Sequence, residues 1–172
     1  MSRIFSGRLI LYLLFLLVAD FCFAPAFHLG LIRPILLYLL IFYSAVCWGW
    51  EKTLPLAIAA GLLRGFSGSQ SFGVETVAAV LGAFCLDFSL QKIDRESFVI
   101  RLGTAFLFVF LMTGLVLVMS AFLGARTPSF GLGFALCLGT GIYSAALMPF
   151  FFQLTARWFR DRGSLKQYEL FS

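Results

Sequence analysis

Three charged side chains, Asp20, Arg64 and Glu75, stand inside or at the margins of strongly apolar stretches of the sequence. In a membrane-spanning helix a central charge costs about 2.5–3.5 kcal/mol, so each of these residues is a candidate functional site. Asp20 comes 11 residues after Leu9 and Arg64 comes 11 residues after Thr53, which places both about 16 Å along their helices. Glu75 enters the next helix from the same side. We hypothesise that Arg64 bridges the two carboxylates in the outer half of a membrane.

The alternative is a structural ion cluster, in which the three charges only neutralise one another and hold the helices together. Glu75 also has a local reason for its position, because an acidic residue in the first turn of a helix interacts favourably with the helix dipole. The sequence leaves both interpretations open.

Residues with catalytic or metal-binding chemistry do not form a recognisable arrangement. The sequence contains no G-x-S-x-G, H-E-x-x-H or Walker motif, and the single histidine, His28, has no potential co-ligand near it in sequence. The four cysteines each stand alone within a different apolar stretch, and we expect them to be buried as small hydrophobic residues. We predict no metal, no cofactor, no disulfide and no enzymatic activity.

The stretches that position these residues are typical of a membrane protein. The chain is 61% hydrophobic and only 12% charged, whereas soluble domains contain about 25% charged residues. Because a hydrocarbon core of about 30 Å needs about 20 apolar residues per helix, the sequence predicts one all-α domain, a polytopic bundle of six transmembrane helices. The predicted spans are residues 9–27, 34–50, 54–66, 73–88, 101–123 and 130–152.

The distribution of basic residues predicts the orientation of the bundle. Ten of the 13 Lys and Arg residues lie in alternate gaps between the spans, so both termini are expected to be cytoplasmic. Residues 153–172 are expected to form a basic cytoplasmic tail that lies on anionic lipid or docks a partner. Its membrane-surface residues are Arg157, Trp158, Arg160, Arg162 and Lys166. The net charge of +5 comes without a Lys/Arg-rich run suited to nucleic acid.

The N-terminus also has some features of a cleaved signal peptide, since Arg3 and Arg8 precede an apolar run that is followed by small residues. Asp20 interrupts that run, and the downstream sequence is also membrane-embedded. We therefore expect the first stretch to remain as a transmembrane helix.

Small residues at helical spacing predict which helices pack closely, because lipid tails give apolar helices no solvent-driven reason to associate. The third span is short and precedes a turn-rich segment, residues 65–73, so we expect a broken helix covered by protein. We expect spans three, four and six to form the packed centre and spans one, two and five to lie nearer the lipid. The predicted packing residues are Ala57, Gly61, Gly65, Gly82, Gly133 and Gly141.

Three segments of the sequence stand out together. They are the Leu/Ile/Tyr-rich start of the second span, from the Arg33-Pro34 pair to Tyr43, the Ala60-Gly61-Leu62-Leu63-Arg64-Gly65-Phe66-Ser67-Gly68 element and the Phe72-Gly73-Val74-Glu75-Thr76 element. These segments resemble the rod shape-determining protein MreD family of bacteria. The resemblance implies a non-catalytic, multi-pass component of the bacterial inner membrane that serves cell elongation. It also implies three partners: the bitopic protein MreC, MreB filaments and the peptidoglycan synthase pair.

One position departs from that family, which typically has Asp soon after the Gly-Leu-Leu element where this chain has Arg64. The resemblance therefore assigns no mechanism to Arg64. A second hypothesis is the substrate-binding subunit of an energy-coupling-factor vitamin transporter, although span one lacks the Ala-x-x-x-Ala row that usually docks the coupling subunit. A small protein that handles lipid or polyprenol is a third hypothesis, because intramembrane charges would suit it.

Overall fold

The computed structural model describes residues 3–22, 34–66, 72–90, 98–124 and 127–159, and within these residues the chain is helical with no strand. The described residues form six helices that follow one another along the chain. They are α1 (Arg3–Cys22), α2 (Leu36–Cys47), α3 (Trp50–Phe66), α4 (Phe72–Leu90), α5 (Phe98–Phe122) and α6 (Phe130–Phe159). The prediction of an all-α protein is confirmed for the described part of the chain.

Three of these helices are long and apolar enough to cross a membrane, with spanning segments Gly73–Leu90, Val99–Phe122 and Phe130–Phe159. Two more contain shorter apolar segments, Leu9–Asp20 and Leu36–Cys47. The structure therefore supports a helical membrane protein.

Several helix ends differ from the predicted spans. The third helix is continuous from Trp50 to Phe66, so the expected break does not include Gly65 or Phe66, and residues 67–71 lie outside the described part. The last helix continues to Phe159 instead of ending near residue 152. The end of the first predicted span, residues 23–27, also lies outside the described residues.

The centre of the bundle is α2, and the expectation that this helix lies near the lipid is wrong. Every residue from Leu37 to Ala45 is buried, and α2 contacts each of the five other helices that the structure describes. Among the described residues, none of the exposed large hydrophobic side chains lies on α2. At 12 residues, α2 is only about 18 Å long and fits entirely inside the bundle.

The reason for this error is that hydrophobicity does not separate a protein interior from a lipid interior, since lipid tails are as apolar as leucine. The informative residues of α2 are its polar ones, Tyr38, Tyr43 and Ser44, which are all buried. Polar atoms at membrane depth need partners inside the protein. A short helix with such residues on several sides is therefore best placed in the centre.

Two antiparallel pairs surround α2. Helices α3 and α4 form the most extensive pair, followed by α5 and α6. Between α2 and α3 the chain turns at Gly49, whose φ of 78° is unfavourable for residues with a side chain. Thr53 donates to the Gly49 carbonyl, so the Ser44 hydroxyl donates to Thr53 Oγ1 at 3.0 Å. This turn lies at the end of the bundle where α1 begins and α6 ends, which we call the terminal end. Helix α2 begins at the opposite end of the bundle.

Candidate functional site: a polar cluster at the start of α2

Four polar side chains from four helices meet at the start of α2: Asp20 from α1, Tyr38 from α2, Arg64 from α3 and Glu75 from α4. We call them the Tyr38 cluster. The Tyr38 hydroxyl donates a hydrogen bond of 2.7 Å to Glu75 Oε2. Arg64 Nε lies 3.1 Å from the other carboxylate oxygen, Oε1, and the Arg64 guanidinium lies over the Tyr38 ring, 4.8 Å from its centroid. Tyr38 thus contacts both charged partners.

Arg64 and Glu75 form an ion pair whose attraction comes mainly from their opposite charges and not from a well-aligned hydrogen bond. Among the described residues, Arg64 Nε has no acceptor in line with its N–H bond, although Oε1 is within 3.1 Å. Both side chains are largely buried, with 16% and 5% of their surfaces exposed. The Tyr38 ring face adds a cation–π interaction, which is stronger where water is excluded.

Asp20 has a different function from that expected for a carboxylate bridged by Arg64. Its Oδ1 accepts a hydrogen bond of 3.2 Å from the backbone N–H of Leu36, the first residue of α2. Ser144 of α6 accepts a second bond of 3.4 Å from the N–H of Ile35. Asp20 is also within electrostatic range of Arg64. The cluster therefore contains both predicted carboxylates, of which Glu75 contacts Arg64 and Asp20 caps α2.

The helices bring Arg64 and Glu75 together because α3 and α4 approach closely one turn away. A Cβ atom on Gly61 would lie 2.6 Å from the Cα atom of Thr76, a distance that real Cβ atoms do not adopt. Glycine at this position lets the two backbones touch, as small residues do in membrane helices. The short separation then allows Arg64, three residues after Gly61, to reach the first turn of α4, where Glu75 lies.

The other predicted packing residues lie in contacts of different closeness. Ala57 and Gly65 are buried on α3. A Cβ on Gly82 would overlap the flexible end of Met112, and one on Gly141 would lie 3.0 Å from the ring of Phe106. Gly133 has only ordinary contacts, the nearest 3.7 Å away. The closest backbone approach is therefore the one at Gly61.

Sequence reasoning missed Tyr38 and Ser144. Tyr38 stands among apolar residues of the second span and looked like one of many aromatic residues of a lipid-facing helix. The signal that could have found it is its hydroxyl, because buried tyrosines usually find a hydrogen-bond partner. Ser144 lies among small residues of α6, and nothing local distinguishes it.

At the terminal end of the bundle, aromatic rings take the place of the charges. The Trp158 ring packs against Tyr12 and Phe15 of α1, with centroid separations of 5.4 and 6.1 Å. The predicted tail residues Arg157 and Trp158 therefore belong to the last turn of α6, where Arg157 is exposed. The other predicted tail residues, Arg160, Arg162 and Lys166, lie outside the described part of the chain.

A long groove runs between α4 and α5 on the side of the bundle, which we call the α4/α5 groove. Its volume is about 610 Å³, and its lining extends along α5 from Ile100 to Val118, a distance of about 27 Å. Small residues line it from both helices, including Gly82 and Gly103. Cys85 also lines the groove and is exposed, so the expectation that all the cysteines are buried is wrong for this residue.

The chemistry available to the Tyr38 cluster is neutralisation and hydrogen bonding. Within the described ranges, no group of three His, Cys, Asp or Glu residues could hold a metal ion. The hydrogen bonds and the ion pair of the cluster connect four helices, and the hydrogen bond that Ser144 accepts adds α6 as a fifth. Such an arrangement fixes the position of α2 relative to its neighbours.

Comparisons with known proteins do not assign the chain to a family. No family model matches the sequence, and no solved structure matches it. One short segment is similar to alanine racemases of Listeria monocytogenes, among them those of serotype 4a and serotype 4b strains, with 35% identity over 54 residues. That segment covers 31% of this chain and 15% of the racemases. The chain thus spans a small part of the length of the curated relatives it matches.

Proposed function

We propose that this chain is a non-catalytic component of the bacterial inner membrane that serves the cell-elongation machinery, as its resemblance to MreD implies. One observation carries the proposal. The three segments that resemble MreD contribute to three different helices, yet residues from all of them meet in the bundle. Tyr38 belongs to the first segment, Arg64 to the second and Glu75 to the third, and the three side chains contact one another.

The mechanism we propose is scaffolding. The polar bonds around α2 hold the helices in a fixed arrangement, so the lateral surfaces of the bundle present constant shapes to neighbouring proteins. The α4/α5 groove is the surface best suited to a partner's transmembrane helix, because its length of about 27 Å is close to the thickness of a hydrocarbon core of about 30 Å. Its small residues permit close approach of a second helix.

The partners in this proposal are MreC, MreB filaments and the peptidoglycan synthase pair, besides the lipid bilayer itself. All six helices contribute to crossing the membrane, with both termini in the cytoplasm. The excess of basic residues on that side supports this orientation. Reporter fusions at Met1 and at Ser172 test it, and reporters that locate the two ends in opposite compartments would contradict it.

The function is tested by depletion of the protein in its rod-shaped host, with cell shape as the readout. Rounding of the cells that is reversed by the wild-type gene is the expected result. Cells that keep their shape but lose uptake of a vitamin would instead indicate the transporter function, and unchanged shape and uptake would contradict both.

The contribution of the α4/α5 groove is tested in the same depletion background. Gly103 lines the groove and has open space around the position of a Cβ atom, so Gly103→Leu should fill the groove without disturbing the bundle. Gly131→Leu is the matched control, because Gly131 also has open space but lies on α6 outside the groove. We expect only Gly103→Leu to fail to restore rod shape at equal expression; equal complementation would exclude the groove as the partner surface.

A further inference from the structure

Helix α5 is the least buried of the three long helices, with 22% of its spanning segment buried against 39% for each of the other two. One face of α5 contacts the core, where the ring centroids of Phe108 and Phe42 are 6.1 Å apart. A second face contacts α6, where the rings of Phe110 and Phe134 meet edge to face. The third face of α5 lines the α4/α5 groove.

The residues on this third face form a regular row, which we call the α5 seam. Their separations alternate between four and three residues along the helix: Ile100, Thr104, Leu107, Leu111, Gly114 and Val118. This is the spacing of the a and d residues of a helix that packs lengthwise on another helix. Leu107 and Leu111 are 52% and 55% exposed, so the α5 seam is accessible to a second helix.

Helix α4 provides a depression beside the α5 seam. Its groove-lining residues include a row of small ones with the same three-and-four spacing, Gly82, Cys85 and Ser89. Gly82 lies against the side chain of Met112. Since α4 and α5 are antiparallel, the small row runs beside the part of α5 that carries Leu107 and Leu111. One chain therefore presents a ridge of large side chains next to a hollow lined by small ones.

We propose that the α4/α5 groove binds a second copy of this chain, with the α5 seam of each copy seated in the groove of the other. In a symmetric dimer each copy supplies both the protruding and the receiving surface, and both occur here in one chain. The two copies have the same orientation in the membrane, so their α5 helices run parallel. The dimer depends on the proposed function in one respect, since that function makes the groove a helix-binding surface.

The charge and the size of the surface both suit a second copy. Near a two-fold axis each side chain approaches its own counterpart, so a charged residue would face a like charge. None of the described residues that line the groove is charged. The groove is about 27 Å long and is formed by two helices that are each about 10 Å across, so each copy covers about 540 Å². Two copies bury about 1,100 Å², which exceeds the area of about 1,000 Å² expected of a specific interface.

The first test is disulfide cross-linking of the full chain in membranes, with the four native cysteines replaced by alanine. Leu111 and Ile142 are exposed to similar degrees, 55% and 59%, but only Leu111 belongs to the α5 seam. Oxidation with copper phenanthroline should link Leu111→Cys and Leu107→Cys into dimers and leave Ile142→Cys monomeric. Equal cross-linking at the seam and at Ile142, or no cross-linking at either seam position, would overturn the proposal.

The second test measures association in liposomes by single-molecule photobleaching of the labelled full chain at decreasing protein density. Gly103→Leu fills the groove and should lower the association constant about tenfold, the effect of a misfitted side chain, whereas Gly131→Leu should leave it unchanged. Leu111→Ala removes a protruding side chain from the seam and should also weaken association. Unchanged association of both Gly103→Leu and Leu111→Ala would overturn the proposal.

Two outcomes distinguish the dimer from the proposed role in cell elongation. A wild-type chain that stays monomeric in liposomes, while Gly103→Leu still fails to restore rod shape, would overturn the dimer and leave the groove as a surface for another protein's helix. A chain that dimerises through the α5 seam, but whose depletion leaves cell shape unchanged, would support the dimer and contradict the role in cell elongation.

Discussion

Charged side chains help to hold the start of α2, whereas uncharged groups, the Ser44–Thr53 hydroxyl pair and several aromatic rings, hold its end. At its start, Tyr38 donates to Glu75 and the backbone N–H of Leu36 donates to Asp20, so the helix is fixed by directional bonds. At its end, the rings of Tyr43 and Phe152 meet edge to face with centroids 4.9 Å apart. Just beyond the helix, Trp48 meets Phe159 in the same way at 4.7 Å.

This difference predicts how strongly a substitution at each end of α2 should lower the stability of the bundle. An aromatic pair contributes about 0.5–1.5 kcal/mol beyond its buried area, and the loss of one ring leaves the others in contact. Removal of one member of a buried ion pair leaves the other as an uncompensated charge, which costs about 3–5 kcal/mol. The start of α2 should therefore tolerate single substitutions much less well than its end.

The largest expected effect comes from Glu75→Leu, which leaves the Arg64 guanidinium buried without its carboxylate. We expect the free energy of unfolding to fall by about 3–5 kcal/mol. The measurement is reversible unfolding in mixed micelles by titration with sodium dodecyl sulfate.

The matched control is the double variant Arg64→Leu/Glu75→Leu, in which both charges are absent. Since replacement of a whole buried ion pair by apolar residues is often neutral, the double variant should recover most of the lost stability. If Glu75→Leu costs no more than Trp158→Ala at the aromatic end, the proposed difference between the two ends does not exist.

A second, smaller effect is expected from Gly61→Ala, because the new methyl group would lie 2.6 Å from the Thr76 backbone. The α3 and α4 helices must then separate and weaken the Arg64–Glu75 contact, at a cost of about 1–3 kcal/mol. Gly103→Ala is the control, since a Cβ at Gly103 meets no atom within 4 Å. A melting temperature of Gly61→Ala as high as that of Gly103→Ala would contradict the close approach.

The helical class of the chain and the three charges inside its apolar stretches could be read from the sequence because both depend on local properties. Runs of apolar residues make helices in a membrane wherever they occur, and an intramembrane charge is conspicuous in such a run. Small-residue spacing also identified Gly61, where the backbones of α3 and α4 meet. These signals need no knowledge of how the helices are arranged.

The position of α2 could not be predicted in the same way because it depends on the neighbours of this helix. Its apolar side chains suit lipid and protein equally, so only the buried hydroxyls of Tyr38, Tyr43 and Ser44 indicated a central position. The partner of Asp20 was also hidden, because the backbone N–H that it caps is present in every helix start. The charges were visible in the sequence, whereas their pairing was a property of the fold.

A third prediction tests the capping of α2 alone. Asp20→Ala removes the acceptor for the Leu36 N–H, and a lost helix cap costs about 1 kcal/mol. Asp20→Asn keeps an acceptor and should cost less than Asp20→Ala by thermal unfolding in detergent. Equal losses for the two variants would indicate that the charge of Asp20, and not the cap, stabilises the bundle.

The smallest effect is expected from Tyr12→Phe at the terminal end. The Thr155 hydroxyl donates to the Phe151 carbonyl, so the Tyr12 hydroxyl donates to Thr155. Tyr12→Phe leaves Thr155 bonded to its own helix and should cost only about 0.6 kcal/mol. Thr155→Val instead leaves the buried Tyr12 hydroxyl without its acceptor, at a cost of about 1–3 kcal/mol. The double variant should then be nearly as stable as Tyr12→Phe. Equal losses from the two single variants would show that this end also depends on a directional bond.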